Sequence, residues 1–536
     1  MNPAAEIALD LAQLRDNLGC RRIRAGIEAL ERLRPQIESL SPCQAHAGEF
    51  VGLIAQWVDA GFDSADLLVK LLARFPPAVR ARMPLLEYLH LRMAESVIAM
   101  SREDFDCAIE HLRLVRSFEN EIDDRELLSI AWFWTGRCLR RTGQYDEAFG
   151  CVIRGEELSL ACGYLQMAAI NQITRSWLAF QKGQADEAID LLRRADDAVR
   201  HTDDFLNRGN IQSAHGRIAR RQGRYESAVL YFEKALLEYR AGGGGQLQMA
   251  RALQNLAFVK RMRALQHQKE LDLAAASRRS GGAPPAPTAL LRSRIEQLRA
   301  EAARHVDESM AIYESATNQR GIAGGHIVRG FLRLDSGDLE SALSEAAEAF
   351  RHGAEKHDFF MMARARTLEC IVENAALEEQ IGDPVRHYEA ASAFAREAVH
   401  FAGQTQNRRL LARAYVWQGL TLASGPEPDR ETARRSCEQA VALLQPDAAQ
   451  QQSTWEELEA LKAAIIRAEP IEPRLRAWSA GIVPDTSFQK LTEEFARIVI
   501  PKVWEREERK VSRVAQKLAI SPKKVRRILQ SVGEIK

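Results

Sequence analysis

The segment Arg141–Ala148, whose sequence is RTGQYDEA, has three counterparts in the chain at intervals of 40 residues. The other copies are SREDFDCA at 101–108, QKGQADEA at 181–188 and RQGRYESA at 221–228. Each copy ends in alanine, and a small residue stands seven positions before the turn glycine at Gly136, Ser176 and Gly216. Because one register is held through four copies, the chain contains an internal structural repeat.

The copies carry the residues that a tight turn between two helices requires. A glycine such as Gly143 ends a helix with a positive φ that is costly for other residues. An aromatic residue such as Tyr145 fills the gap between paired helices, and a small residue such as Gly136 lets them approach closely. This small-x6-Gly-x-Tyr-x2-Ala spacing resembles the tetratricopeptide repeat (TPR), whose units have about 34 residues. The resemblance implies an all-α solenoid of helix pairs, with about six extra residues per unit in longer helices or loops.

Weaker copies extend the repeat towards the C-terminus. Units follow at 330–349 and 419–440, and a looser helix pair fits 362–379 and 385–402. The unit after Ala228 is interrupted, because the Pro/Gly/Ser-rich stretch 277–287 cannot bury a core. The sequence predicts four segments: a helical N-terminal cap over 1–84, a TPR-like array over 85–467 with a disordered insertion near 270–288, a linker over 468–486, and a separate small domain over 487–536.

Composition and charge argue against membrane-spanning and secreted proteins and against binding driven by the overall charge. The chain of 536 residues has 74 basic and 73 acidic residues, and a formal charge of +1 gives no overall attraction to nucleic acid or membrane. No stretch approaches the roughly 18 apolar residues of a spanning helix, and the N-terminus has no signal-peptide pattern. The eight cysteines are scattered without a CxxC pair, which favours reduced thiols. We therefore expect a cytoplasmic protein without membrane contact.

Motifs typical of enzymes are missing from the sequence. It has no HExxH, GxSxG or P-loop motif, so we expect no enzymatic activity and no cofactor. Metal-ligand spacing is also missing, and no metal site is expected on the histidines of the helical patterns, which are His305, His326, His352 and His357. One aromatic cluster is more typical of repeat core than of a ligand cage, and it comprises Trp132, Phe133, Trp134 and Trp177.

The C-terminal residues follow a different pattern. A helix is predicted from Ser487 to about Glu507, and two shorter helices follow it. Ser521 is a good N-cap for the last helix, where Val525 and Leu529 would face inward. Pro522 suits the first helical position because its missing N–H would have no partner there. From 502 to 536 the chain has 11 basic and 4 acidic residues, so the near-neutral total conceals a basic tail of net charge +7.

Residues 487–531 resemble the Fis-type helix-turn-helix found at the C-terminus of sigma-54-dependent activators of the NtrC class. The matching segments are Leu491–Phe495, Val511–Ala515 and Leu518–Ser521. The resemblance implies binding to double-stranded DNA and a homodimer formed through the helices before the motif. The predicted DNA-binding residues are Arg513, Ser521, Lys523, Lys524, Arg526 and Arg527.

Three features depart from that family pattern. Ala519 replaces the usual turn glycine, which costs about 1 kcal/mol if φ is positive there. Ile528 occupies a position that is commonly basic. No ATPase module accompanies the motif, so the ATP-driven mechanism of those activators does not carry over.

A stripe of basic residues is expected on the concave surface, which the first helix of each pair lines in repeats of this type. Arg137 and Arg140 stand at the same repeat positions as Arg217 and Arg220, two units later. Such a stripe could bind the carboxylates of an acidic peptide or protein segment, although an ordinary solvated face has the same pattern. The predicted partner-binding residues are Arg137, Arg140, Asn210, Arg217 and Arg220.

The sequence as a whole favours a transcriptional regulator. Its TPR-like array would sense or recruit a protein or peptide, and its C-terminal helix-turn-helix would bind DNA. The alternative is a non-enzymatic TPR scaffold for protein–protein interaction without DNA binding. Salt dependence separates the two, because DNA binding weakens steeply as salt displaces the contacts to phosphate.

Overall fold

The computed structural model describes residues 3–279, 288–425, 429–444, 452–468 and 487–535. Over these ranges the chain forms 26 helices and no strand. It divides into two compact units, Met1–Lys462 and Ala463–Lys536, which are described separately below. The division falls five residues before the predicted end of the array. Within the described ranges, no helix is both long and apolar enough to cross a bilayer.

Six helices at the N-terminus belong to the same compact unit as the array. Trp57 is fully buried among them, and Gly26 gives its ring the space that a side chain would fill. Their core is continuous with that of the first repeats, as expected of a cap. The six helices are α1 (Pro3–Gly19), α2 (Ile23–Arg32), α3 (Arg34–Ser39), α4 (Ala47–Asp59), α5 (Ala65–Leu72) and α6 (Pro77–Arg80).

Eight antiparallel helix pairs and one further helix form the array. Each helix packs mainly on its neighbours in sequence, as in a helical-repeat solenoid. The first four pairs are α7 (Leu85–Ser101) with α8 (Phe105–Ser117), α9 (Arg125–Thr142) with α10 (Tyr145–Ala161), α11 (Leu165–Gln181) with α12 (Ala185–Val199), and α13 (Phe205–Arg221) with α14 (Tyr225–Gly242). The others are α15 (Gln246–Arg279) with α16 (Thr288–Ser315), α17 (Gln319–Asp335) with α18 (Leu339–Glu355), α19 (Phe359–Glu378) with α20 (Pro384–Gly403), and α21 (Arg408–Ser424) with α22 (Arg430–Leu444), followed by α23 (Gln452–Ala468).

The repeat residues take the positions that their spacing predicts. The alanines that end the four copies are fully buried. A Cβ on Gly136 would lie 2.7 Å from a methyl group of Val152, so only glycine permits this approach of α9 and α10. The turn glycines have positive φ, which is 90° at Gly143 and 73° at Gly223. The all-α, TPR-like solenoid is confirmed.

The interrupted unit differs from its predicted boundaries. Helix α15 runs to Arg279, ten residues into the segment near 270–288 that was expected to be disordered. The reason is local, because this stretch is rich in helix-forming Ala, Leu and Arg, and Leu271 packs with Ile295 of α16. The prediction was therefore wrong for 270–279. The rest of the predicted insertion, 280–287, lies outside the described residues, as does most of the predicted linker over 468–486.

The array returns to contact itself between its second and eighth pairs. Asn407 donates to the hydroxyl oxygen of Tyr145 at 3.4 Å, and the backbone N–H of Gln406 donates to the carbonyl oxygen of Gly143 at 3.2 Å. The side-chain oxygen of Gln406 also accepts from the backbone N–H of Asp146 at 2.9 Å. The turns before α10 and before α21 are thus joined across some 260 residues of chain.

Three helices form the core of the C-terminal unit, and they are α24 (Phe488–Arg506), α25 (Val511–Lys517) and α26 (Pro522–Ser531). Val514 of α25 and Leu529 of α26 are completely buried and pack with Trp504 of α24. The side chain of Ser521 accepts a hydrogen bond from the backbone N–H of Lys524, which confirms the predicted N-cap. Ala519 has a φ of 49°, the positive value that favours glycine.

Candidate ligand groove and nucleic-acid interface

A first cavity of about 290 Å³ opens on the concave side of the array. The first helices of three pairs, α9, α11 and α13, contribute many of its residues, and α4, α8 and α15 contribute others. Four of the five predicted partner-binding residues meet here, which are Arg137, Arg140, Asn210 and Arg217. The fifth, Arg220, lines a second cavity instead.

Helix α9 contributes three arginines to the first cavity, and two of them, Arg137 and Arg140, differ in their partners. Arg137 forms an ion pair with Asp59 of the N-terminal cap, with Nη1 and Oδ2 2.6 Å apart. Arg140 has no ion-pair partner among the described residues, and its Nε is buried without a hydrogen bond. Its guanidinium lies over the ring of Trp177, 5.2 Å from the centroid. Arg137 is therefore neutralised, whereas Arg140 remains available to an anion.

The amides of the first cavity form a short network. Asn210 donates to Asn207 at 3.2 Å and accepts from the hydroxyl of Tyr239 at 3.0 Å. Within the part of the chain that the structure describes, Arg217 donates only to the backbone carbonyl of Ser213 in the same helix. These side chains are thus held in place, and the remaining N–H groups of Arg217 can serve a ligand.

The predicted aromatic cluster contributes both to the repeat core and to the lining of the first cavity. Trp134 and Phe133 are buried repeat core, with side chains only 1% and 6% exposed. They also line the first cavity together with Trp177. Trp132 lies outside it, where its indole N–H donates to Glu119 at 2.9 Å.

A second cavity, of about 280 Å³, lies further along the same concave side. Arg141 and Arg251 line both cavities, so the groove is continuous. Within the described structure, its lining contains eight arginines and no acidic residue. The eight are Arg141, Arg220, Arg221, Arg251, Arg320, Arg364, Arg409 and Arg413.

Burial and repulsion between neighbouring arginines lower the pKa of several guanidiniums in the two cavities. Together they lower the pKa of Arg141 and Arg220 to about 9 and that of Arg364 and Arg409 to about 10. In the first cavity the same causes bring the pKa of Arg217 to about 10. The charged form of each guanidinium is less stable here than in water, because too few acidic groups lie nearby.

Sequence reasoning did not identify most arginines of the second cavity. Arg141 and Arg221 stand beside Arg140 and Arg220, and this repeated pair of adjacent arginines is a signal that the sequence does contain. Arg364 and Arg409 come from later, drifted units, and only the curvature of the array brings them to the same cavity. No spacing in the sequence predicts that convergence.

The last two helices of the C-terminal unit expose basic residues to solvent. Val525, Ile528 and Leu529 are buried, whereas Lys523 and Lys524 are exposed. The predicted DNA-binding residues are all exposed, and they are Arg513, Ser521, Lys523, Lys524, Arg526 and Arg527. Two of them have acidic neighbours, because Arg513 pairs with Glu508 at 2.9 Å and Arg527 with Glu493 at 3.2 Å. Exposed ion pairs of this kind are weak and exchange readily for contacts to phosphate.

Two of the histidines lie close together on α17 and α18. His326, Glu348 and His352 place one ligand atom each within 4.8 Å of one another, a grouping that spacing along the sequence does not predict because two helices contribute to it. The guanidinium of Arg351 contacts two members of this cluster. Its Nη2 donates to Glu348 at 2.7 Å and lies 3.1 Å from Nε2 of His352.

Comparisons with known proteins agree with the fold. No protein-family model and no curated protein matches the chain. Among solved structures, a Rap protein complexed with competence and sporulation factor matches with a TM-score of 0.54 and 12% identity, covering 75% of this chain and 99% of that one. Lower TM-scores, 0.42 and 0.39, belong to the apo form of RapI and to the apo form of the quorum sensor NprR from B. thuringiensis, at 10% and 12% identity, covering 74% and 82% of this chain and 98% and 99% of those. At such identity the likeness concerns the fold alone, which is that of a TPR-like helical-repeat protein.

Proposed function

We propose that this protein is a non-enzymatic, cytoplasmic transcriptional regulator. Its array binds an acidic peptide or protein segment in the concave groove, and its C-terminal helix-turn-helix binds double-stranded DNA. The two compact units correspond to these two tasks.

The arrangement of α26 is the observation that supports DNA binding most directly. This helix buries Val525 and Leu529 and exposes Lys523, Lys524 and Arg526 near its N-terminus. A recognition helix uses that end to reach base edges and phosphates in the major groove. The net charge of +7 over residues 502–536 adds the attraction to phosphate that the nearly neutral whole chain does not provide.

The first cavity supports an acidic partner in the groove. Arg140 and Arg217 face it without carboxylate partners, and Asn210 adds an amide. Ile173 and Trp177 supply an apolar wall for side chains of a peptide. The Rap protein of similar fold was solved with competence and sporulation factor, which shows that this kind of array accommodates a partner.

A salt series on DNA binding tests the proposal. The full chain is titrated with labelled duplex DNA by fluorescence anisotropy between 50 and 200 mM salt, and its affinity is expected to fall steeply. Replacing Lys523, Lys524, Arg526 and Arg527 together by alanine should weaken binding at least about 100-fold, because several phosphate and base contacts are lost. The matched control replaces four exposed arginines of the array, Arg193, Arg194, Arg434 and Arg435, and should bind as the parent does. Equal affinity of both variants, or no binding at 50 mM salt, would leave only the scaffold function.

A homodimer follows from the same proposal, through helix α24. This helix exposes Phe488 and Phe495, with 82% and 49% of their surface accessible. Large exposed apolar side chains on one helix favour a partner surface, and a second copy offers the same face. Sedimentation of the full chain should give a dimer that the double substitution of Phe488 and Phe495 by serine converts to monomer. A monomeric parent would contradict the dimer without affecting the test of DNA binding.

A further inference from the structure

The second cavity carries more positive charge than the surrounding protein neutralises. Of its eight arginines, Arg320 pairs with Asp358 at 3.3 Å and Arg413 with Glu457 at 2.7 Å. The other six form no ion pair within the described structure, and they are Arg141, Arg220, Arg221, Arg251, Arg364 and Arg409. An anion of high charge would relieve their mutual repulsion.

Aromatic rings hold several of these guanidiniums in place. Arg220 lies over Phe258 at 5.2 Å from the ring centroid, and Arg364 lies over Phe360 at 5.7 Å. Arg220 also donates to Asn255 at 2.8 Å. A guanidinium that stacks through its face keeps its N–H groups in the plane for acceptors. The cavity therefore presents pre-oriented donors.

The self-contact of the array limits the size of what this cavity accommodates. Arg320 donates to the backbone carbonyl of Arg141 at 2.7 Å, and Asn407, at the cavity's edge, donates to Tyr145. These contacts join the second pair to the sixth and to the eighth pair beside the cavity, and they leave a compartment of about 280 Å³. That volume accommodates a compact molecule.

Charge density decides the chemistry of the ligand. An extended peptide directs alternate side chains to opposite faces, so even a poly-acidic one presents a single carboxylate to one face about every 7 Å. A terminal phosphate group carries about −1.5 to −2 charges and each interior phosphate of a linked chain about one, so linked phosphates concentrate several charges within a similar distance. Arginine also binds phosphate through two parallel N–H groups.

We propose that the second cavity is a binding site for a linked polyphosphate, either free or as the polyphosphate chain of a nucleotide. The arginines of α13, α19 and α21 clamp the phosphate oxygens from different sides. Arg364 and Arg409 belong to this cavity alone, whereas Arg141 and Arg251 border the first cavity as well. The lining residues of the second cavity all belong to the first compact unit.

Calorimetry on the full chain tests the site with inorganic tripolyphosphate as the probe. The parent protein is expected to bind one equivalent in the second cavity, with an affinity that weakens as salt is raised. The double substitution Arg364→Gln and Arg409→Gln should raise the Kd at least about 100-fold, since each removes charged hydrogen bonds to phosphate. A matched control carries Arg193→Gln and Arg194→Gln on the exposed face of α12 and should bind as the parent does. Unchanged binding in the Arg364/Arg409 variant would overturn the proposal.

Further probes distinguish the sources of the phosphate and the rival ligand. Tighter binding of ATP than of tripolyphosphate would identify a nucleotide, and equal binding would identify the phosphate chain itself. Hexaglutamate that binds as tightly and is lost in the same variant would overturn the proposal in favour of a peptide. The variant lacking the four basic residues of α26 should keep full tripolyphosphate affinity, so that failure of DNA binding and failure of this site are seen separately. Circular dichroism checks that each variant is folded.

Discussion

Arg137 and Asp59 form an ion pair between α9 and the N-terminal cap, with Nη1 and Oδ2 2.6 Å apart. One turn later on the same face, Arg140 has no such partner in the described structure, and burial together with neighbouring arginines lowers its pKa well below the usual value. We predict that Arg140→Gln raises the free energy of unfolding by about 1 kcal/mol, because it removes an unpaired, half-buried charge. Arg137→Gln should lower it by a similar amount, because Asp59 loses its counter-charge. Denaturant titration of both variants measures this, and a loss of stability in both would contradict it.

A second ion pair predicts a larger loss of stability. Arg21, which follows α1, pairs with Asp204 at 2.6 Å, and both side chains are buried, at 7% and 1% exposure. Arg21→Ala should destabilise the protein by about 3 kcal/mol or more, because it leaves a buried carboxylate uncompensated. The neighbouring pair of Arg22 with Asp16 is exposed, so Arg22→Ala should cost under about 1 kcal/mol. Similar midpoints for the two variants in denaturant would refute the contrast.

Asp124 makes part of the stability dependent on acid pH. Burial alone would raise its pKa, but the nearby His90 ring and Arg15 guanidinium lower the pKa to about 2. Its carboxylate also accepts from the backbone N–H of Leu127 at 2.9 Å, at the start of α9. Because the folded value lies below the ordinary one of about 4, this stability is complete above pH 4 and is lost as pH falls through 2.

The variant Asp124→Asn isolates that contribution. It keeps an N-cap side chain but removes the charge, so the free energy of unfolding near neutral pH should fall by about 2 kcal/mol. Between pH 4 and 2 the variant should lose stability less steeply than the parent. Parallel curves for the two proteins over this interval would show that Asp124 titrates normally.

A substitution at Ala519 is predicted to raise stability, in contrast to the losses predicted at Arg21 and Asp124. The φ of 49° at Ala519 strains a residue with a Cβ. Ala519→Gly should stabilise the C-terminal unit by roughly 0.5–1 kcal/mol, since glycine adopts this conformation freely. As a control, Gln516→Gly within α25 should be destabilising by a similar amount. Hydrogen exchange of the backbone amides of α25 and α26 in the full chain checks both, and faster exchange in Ala519→Gly than in the parent would contradict the reasoning.

The fold can be predicted from the sequence because the repeat depends on contacts between residues that are close in the chain. Ala148 and Gly136 occupy fixed positions in one helix pair, and their size alone determines how closely α9 and α10 pack. Ser521 and Pro522 similarly mark the start of α26 through hydrogen bonding to adjacent backbone. The helix contact at Gly136 and the start of α26 can be predicted because each depends on residues near it in the chain.

The site is only partly predictable for the opposite reason. The spacing of Arg137 and Arg217 indicates one basic face, but the partner Asp59 comes from the cap, 78 residues earlier. Arg409 reaches the second cavity only because the array curves through many small rotations between pairs. Those rotations depend on the packing of every interface, and no short pattern encodes their sum.

The hydrogen bonds that connect Asn407 and Gln406 to the turn before α10 change how this molecule unfolds. In an open solenoid each unit depends on its immediate neighbours, and the ends fray first. Here the eighth pair supports the second directly, so loosening either turn exposes the interior of both. The array should therefore melt as one cooperative body, and shortening it from the C-terminal side should weaken helices near its beginning.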